Sequence, residues 1–160
     1  MNSSNKSYRL AVCITIALSL VAVLLVGCGG KQPSSSDNVV SEVVMTTSVD
    51  DYGRPLNTTT VFSDNASAFI CSFKVANFPV GSQIKAKWIY VGGDPEVEAM
   101  IGQNCVIDTR AGTIERKGIG YTFAVLELPS MPGYTWYKGN YKVVLSVGEQ
   151  EKGSAYFKVE

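Results

Sequence analysis

No histidine occurs among the 160 residues. That absence removes Ser-His and Cys-His nucleophile pairs and every histidine-ligated metal site. The chain also lacks a glycine-rich phosphate loop, a Walker sequence and any cysteine pair at metal-binding spacing, so neither a metal nor a cofactor is expected. Charge is scarce and balanced: 18% of residues are Asp, Glu, Lys or Arg, with 14 of each sign. Such a balance offers no basic footprint for nucleic acid. No catalytic constellation is recognisable.

What the chain does have is an apolar run near its start. Lys6 and Arg9 precede Leu10–Val26, and the run ends in Leu25-Val26-Gly27-Cys28 with no acidic residue before it. A basic start, an apolar middle and a small residue at the end describe a secretory signal peptide. An uncleaved anchor is the alternative, because the eighteen residues Leu10–Gly27 lie near the lower limit for spanning a bilayer. Both readings put the rest of the chain outside the cytoplasm, since Lys6 and Arg9 hold the N-terminus in. Gly29–Asn38 is rich in Gly, Ser and polar residues, a flexible tether rather than the start of a fold. A cysteine directly after a small residue resembles the lipobox of bacterial lipoproteins. That resemblance implies cleavage before Cys28, a diacylglycerol on its thiol, and a position on the extracytoplasmic face of a bacterial membrane, where two acyl chains anchor stably. The expected organisation is a lipoprotein signal peptide over 1–27, a lipidated cysteine and flexible tether over 28–38, and one folded domain over 39–160. Loss of Lys6 and Arg9 with the signal leaves 12 basic against 14 acidic residues, a net charge of −2.

Beyond the tether the chain reads as short alternating strands divided by Gly, Pro, Asn and Asp, which predicts a β-sandwich. Val39–Val49 and Leu56–Phe62 flank turn chemistry at Asp50–Pro55. Ala68–Val75 puts Phe69, Cys71, Phe73 and Val75 on one face; Ile84–Val91 puts Ile84, Ala86, Trp88 and Tyr90 inward and Lys85 and Lys87 outward. Asp94–Gly102 is the helical candidate: Asp94 can cap, Pro95 suits the first turn, Glu96 and Glu98 favour the positive end, and Gly102 can close it. Cys105–Asp108 predicts a short strand ended by a turn at Arg110-Ala111-Gly112, and Tyr121–Leu128, apolar on both faces, a strand buried on both sides. Asn140–Val147 and Ser154–Val159, joined by Gly148–Gly153, predict an antiparallel hairpin.

Trp136-x-x-Gly139-x-Tyr141-x-Val143-x-Leu145 resembles the penultimate strand of bacterial immunoglobulin-like domains. Tyr141 then matches the tyrosine corner, two positions before the second disulfide cysteine, a place that Val143 holds here. The usual cross-sheet disulfide is therefore excluded. Cys71 and Trp88, seventeen positions apart, resemble the first cysteine and the core tryptophan. The span Val43–Glu160 is also similar to a group of small, mostly uncharacterised bacterial lipoproteins, through Cys71-Ser72-Phe73-Lys74-Val75, Ile84-Lys85-Ala86-Lys87-Trp88-Ile89-Tyr90-Val91 and Lys138-Gly139-Asn140-Tyr141-Lys142-Val143-Val144-Leu145. The resemblance implies an all-β fold, an immunoglobulin-like antiparallel β-sandwich of about seven strands. It implies no activity, because this fold hosts many.

Several groups are candidate sites. Cys71 and Cys105 can pair outside the cytoplasm, a closure of roughly 35 residues that contributes roughly 4 kcal/mol in the chain-entropy model; two buried free thiols are the alternative. Lys85, Lys87, Lys142 and Lys158 fall on outward positions of three strands, with Ile89, Val144 and Tyr156 on the same face. They form either a basic-apolar binding face for an acidic protein, an anionic glycan or anionic lipid heads, or a solvated face whose lysines discourage aggregation. Asp94, Glu96 and Glu98 lack EF-hand spacing and read as capping rather than as calcium ligands. Tyr121, Tyr134, Trp136 and Tyr137 suit a sugar-binding edge or, more commonly in a sandwich, packing at the core and corners. The expected function is a membrane-anchored, non-catalytic binding or accessory module for an envelope protein or cell-wall polymer, with the membrane itself contacted through the lipid on Cys28. The alternative is an inhibitor or regulator of an exported peptidase. Leu56–Thr60 and Gly118–Gly120 resemble loops of one group of such inhibitors, although the Arg-Pro-Trp element of their last loop is absent.

Overall fold

Alternation of apolar and polar residues gives the chain its two layers. In the computed structural model, which describes residues 38–129 and 133–160, the elements run β1 (Val39–Thr46), β2 (Val61–Phe62), β3 (Ala68–Ala76), β4 (Gln83–Gly92), α1 (Pro95–Ile101), β5 (Cys105–Thr113), β6 (Ile119–Glu127), β7 (Gly139–Val147) and β8 (Gln150–Val159). The expected signal peptide, Cys28 and all but the last residue of the tether lie outside the described residues. One sheet has the order β1-β3-β6 and the other β2-β8-β7-β4-β5. All named neighbours are antiparallel except β2 and β8, which are parallel.

The inward faces match the alternation. Phe69, Cys71, Phe73 and Val75 of β3 meet Ile84, Ala86, Trp88 and Tyr90 of β4, Tyr141, Val143 and Leu145 of β7, and Phe157 and Val159 of β8 in one buried core. Phe69 is its hub, with ring centroids of Trp136, Phe157 and Phe62 at 4.3, 4.8 and 5.0 Å. Edge contacts of this kind add to the area each ring buries. Trp88 is wholly buried, and its Nε1 has no hydrogen-bond partner among the described residues. Among the described residues no helix is long and apolar enough to cross a membrane.

Four features differ from expectation, three of them for a non-local reason. Leu56–Phe62 does not return along β1 as a full strand: Pro55 and Thr58 make single bridges to Val49 and Thr46, and the chain then crosses to pair Val61 and Phe62 with β8. Pro55 has no N–H to extend a ladder, and Phe62 buries against Phe69 and Phe157 on the far side. The predicted turn at Arg110–Gly112 is strand, because β4 offers partners as far as Gln83↔Thr113. β6 is not buried on both sides: it pairs with β3 alone, and within it Leu126 is the one fully buried residue. The last hairpin closes through Gly148-Glu149 rather than over six residues; Gly148 has φ +58°, the left-handed backbone that tight hairpin turns require. With two-residue β2 included, the strands among the described residues number eight rather than about seven.

Candidate functional site

The outward lysines come together as alternation requires. β4, β7 and β8 are neighbours, and the register sets Lys87 beside Val144, Ile89 beside Lys142, and Lys142 beside Tyr156. Lys142 lies 3.7 Å from Glu151 and 5.4 Å above the Tyr156 ring, and Lys158 lies 3.6 Å from Glu160. Lys85 and Lys87 are exposed and join no ion pair among the described residues. Tyr156, 62% exposed, stands on the same face.

The cysteine pairing does not form: Cys71 and Cys105 are free. Cys71 is central in β3 and wholly buried between the sheets, whereas Cys105 begins edge strand β5 of the other sheet, half-buried. Burial pushes the Cys71 thiol up to about 12.

Among the acidic candidates, Asp94 accepts from the amides of Glu96 and Val97 as the cap of α1. Glu98 accepts from Gly93 N at 2.7 Å and Gln103 Nε2 at 2.6 Å; the Gly93 amide, first, and then Gln103 hold its carboxyl below the usual range. Both carboxylates are thus used in closing the β4–α1 connection. The aromatic candidates divide. Trp136 packs its ring on Phe69 and donates Nε1–H to the Ala66 carbonyl at 2.7 Å, while Tyr137 donates to Met100 Sδ at 3.7 Å. Tyr121 sits elsewhere: Ala68, two residues past Ala66, pairs with Glu127, six positions along β6 from Tyr121. Of the inhibitor-like loops, Leu56–Thr60 is held against the chain after β1 by Leu56 N to Ser48 O, Thr47 N to Asn57 O and Thr59 N to Met45 O, and Gly118–Gly120 lines a groove.

That groove is a feature the sequence reading missed. It has a volume of about 1080 Å³ and lies between the Asp50–Arg54 loop and residues 113–123. Tyr52, Arg54, Lys74, Arg116, Lys117 and Tyr121 line it, four cations and two phenols. Two acids, Asp51 and Glu115, offset part of the charge. The loop is rigidly built: Asp50 Oδ1 accepts from the amides of Tyr52 at 2.9 Å and Arg54 at 2.8 Å, and the buried Ser72 hydroxyl donates to Gly53 O at 2.7 Å. Gly53 has φ +79°, and a Cβ there would stand 3.2 Å from Thr122 Cα. Next to this loop, Tyr121 donates a short hydrogen bond to Glu42, whose other oxygen accepts from Lys74 at 2.9 Å. The Tyr121 bond, first, and then Lys74 lower the Glu42 carboxyl; the same Glu42 contact raises both Tyr121 and Lys74. Glu42 adopts φ +51° at a bulge in β1, which turns its carboxylate toward these partners. Each phenol carries a cation: Arg54 is 5.8 Å from the Tyr52 ring centre, and Lys74 5.6 Å from that of Tyr121. The interleaving of Tyr52 with Arg54 and of Arg116-Lys117 with Tyr121 was visible in the sequence, but only the tertiary fold, with Ser72 bonded to Gly53 and Gly53 against the Tyr121–Thr122 main chain, brings both segments to one groove.

No protein-family model and no curated protein matches the chain. Among solved structures it is similar to an immunoglobulin-like protein from Pseudomonas aeruginosa, at 10% identity and a TM-score of 0.52 over 79% of this chain and 99% of that one. An alkylpurine DNA glycosylase from Pseudomonas fluorescens, bound to DNA containing an abasic site analog, aligns at 15% identity and a TM-score of 0.49 over 78% of this chain. A β-glucosidase from Listeria innocua aligns at 7% identity and 0.44 over 77%. The chain spans 31% of the glycosylase and 16% of the glucosidase. Together with the nearly all-β architecture, the Pseudomonas aeruginosa likeness is one of fold: the described domain is an immunoglobulin-like β-sandwich.

Proposed function

We propose that the chain is an extracytoplasmic lipoprotein, anchored through a lipid on Cys28, whose sandwich is a non-catalytic binding or accessory module for an envelope protein or cell-wall polymer. The observation that carries this reading is the outer face of the five-stranded sheet, where Lys85 and Lys87 stand exposed, without carboxylate partners among the described residues, beside Tyr156 and the half-buried Ile89 and Val144. A basic face with an exposed aromatic suits an acidic partner surface, which charge steers toward it. The non-catalytic reading is supported by the structural use of several hydrogen-bonded carboxylates: Asp50 closes a turn, Asp94 caps a helix, Glu98 ties a loop and Glu42 holds Tyr121 and Lys74.

Lysine-directed crosslinking in intact cells tests the proposal. A specific partner joined through Lys85 or Lys87 is expected, and its copurification without crosslinker is expected to be lost in Lys85→Glu/Lys87→Glu, whose domain stays folded because both side chains are exposed. Unchanged copurification in that variant would remove this face. A diacylglycerol mass on an N-terminal Cys28, absent in Cys28→Ser, supports the lipid anchor; an unmodified Cys28 in the wild-type chain overturns it.

A further inference from the structure

We propose that the groove between the Asp50–Arg54 loop and residues 113–123 binds an anionic glycan, a sugar chain bearing carboxylate or phosphate groups. The site uses none of the residues of the lysine face. It rests on the extracytoplasmic reading only for where such a chain is met.

Three observations converge. The first is charge: with Lys74 paired to Glu42, three further cations, Arg54, Arg116 and Lys117, line the groove against two acids, in a chain whose formal net charge is zero. Arg54, Arg116 and Lys117 join no ion pair among the described residues, so their donors are open to a ligand. Guanidinium groups match the two oxygens of a carboxylate or phosphate. The second is the pairing of ring and cation. Tyr52 with Arg54, and Tyr121 with Lys74, each set a phenol less than 6 Å from a cation. A sugar ring presents C–H edges that suit the negative face of a phenol, and its acidic substituent then comes within reach of the cation beside that phenol. An acidic peptide meets the cations but has no ring for the phenols. The third is pre-organisation. Tyr52 is 69% exposed, yet its backbone is held by Asp50, and Tyr121 is oriented by Glu42, so little freedom is lost when a ligand docks.

Binding is measured with the full chain in detergent micelles, by titration against polygalacturonate, phosphorylated dextran, unmodified dextran and polyglutamate. At least one charged glycan is expected to bind. The stronger of the two identifies the anion. Unmodified dextran is expected not to bind, and polyglutamate to bind about tenfold more weakly than the charged glycan. Tyr52→Ala, and separately Arg116→Ala/Lys117→Ala on the other segment, are each expected to weaken glycan binding by about three- to tenfold. Lys85→Glu/Lys87→Glu is expected to leave it unchanged, which separates this groove from the lysine face. Three results overturn the assignment: no binding of either charged glycan, polyglutamate binding as tightly as the glycan with Tyr52→Ala neutral, or equal weakening by the Lys85/Lys87 variant. A melting curve for each variant keeps loss of binding distinct from loss of fold.

Discussion

Tyr141 joins core and corner in one side chain. Its ring stacks on Phe157 at 5.1 Å and 19°, and its hydroxyl donates to the Tyr137 carbonyl at 2.6 Å, the upstream backbone bond of a tyrosine corner. Burial, chiefly, with the neighbouring Tyr90 and Tyr137 phenols, raises its ionisation well above the usual tyrosine range. A group raised in the folded state adds stability that is complete below its unfolded value, near 10, and is lost as pH climbs past it. Tyr141→Phe should therefore lose about 1–3 kcal/mol at neutral pH and show a shallower loss of stability above about pH 10. Urea unfolding on either side of that pH measures both; identical alkaline slopes in parent and variant would assign the alkaline loss elsewhere. Cys71 gives a second test at this scale. Wholly buried, with its thiol raised by desolvation, it should resist iodoacetamide in the folded protein and react once unfolded, whereas half-buried Cys105 should react first. Peptide mapping reads this directly, and early labelling of Cys71 would contradict its burial.

At the scale of elements, local chemistry and local structure agree wherever a segment's partners are its own neighbours. α1 begins and ends as its sequence predicts, with Asp94 accepting at its N-terminus and the Gly102 amide donating to Glu98 O. β3 and β4 bury the faces their alternation marks. The ends of β5 and the fate of Leu56–Phe62 were not legible, because turn-forming residues yield when a neighbouring strand supplies a full ladder, or when an aromatic gains more by crossing to the other sheet. The Asp50–Arg54 loop shows what such a segment can be built for. Gly53→Ala meets both a left-handed backbone and the Thr122 main chain 3.2 Å away, so it should cost about 1–3 kcal/mol. A shift of the denaturant midpoint by less than about 0.5 kcal/mol equivalent would mean that the loop relaxes freely.

For the whole molecule, the two sheets present different outer faces. The five-stranded sheet carries Lys85, Lys87, Lys142 and Lys158, charges that also discourage edge and face association. The three-stranded sheet ends in β6, whose Tyr121–Leu126 stretch has neither charge nor proline and whose Phe123 is exposed. Such an edge is open to another strand. Phe123→Lys should slow aggregation in concentrated solution while changing stability by less than about 0.5 kcal/mol, as surface substitutions usually do. Light scattering with time measures it, and an unchanged rate would clear β6 of responsibility.

By itself the sequence determined which faces of β3, β4, β7 and β8 are apolar and where the helix caps stand, because each depends on residues a few positions apart; the roles of Tyr141 and Trp88 came from the immunoglobulin-like resemblance. Only the tertiary structure decided that β2 joins β8, that β5 runs to Thr113, that Cys71 and Cys105 remain apart, and that Tyr52, Arg54, Lys117 and Tyr121 line one groove. Those outcomes depend on which strands lie side by side and on the shared core that rewards one pairing over another, and neither is a property of any single stretch of chain.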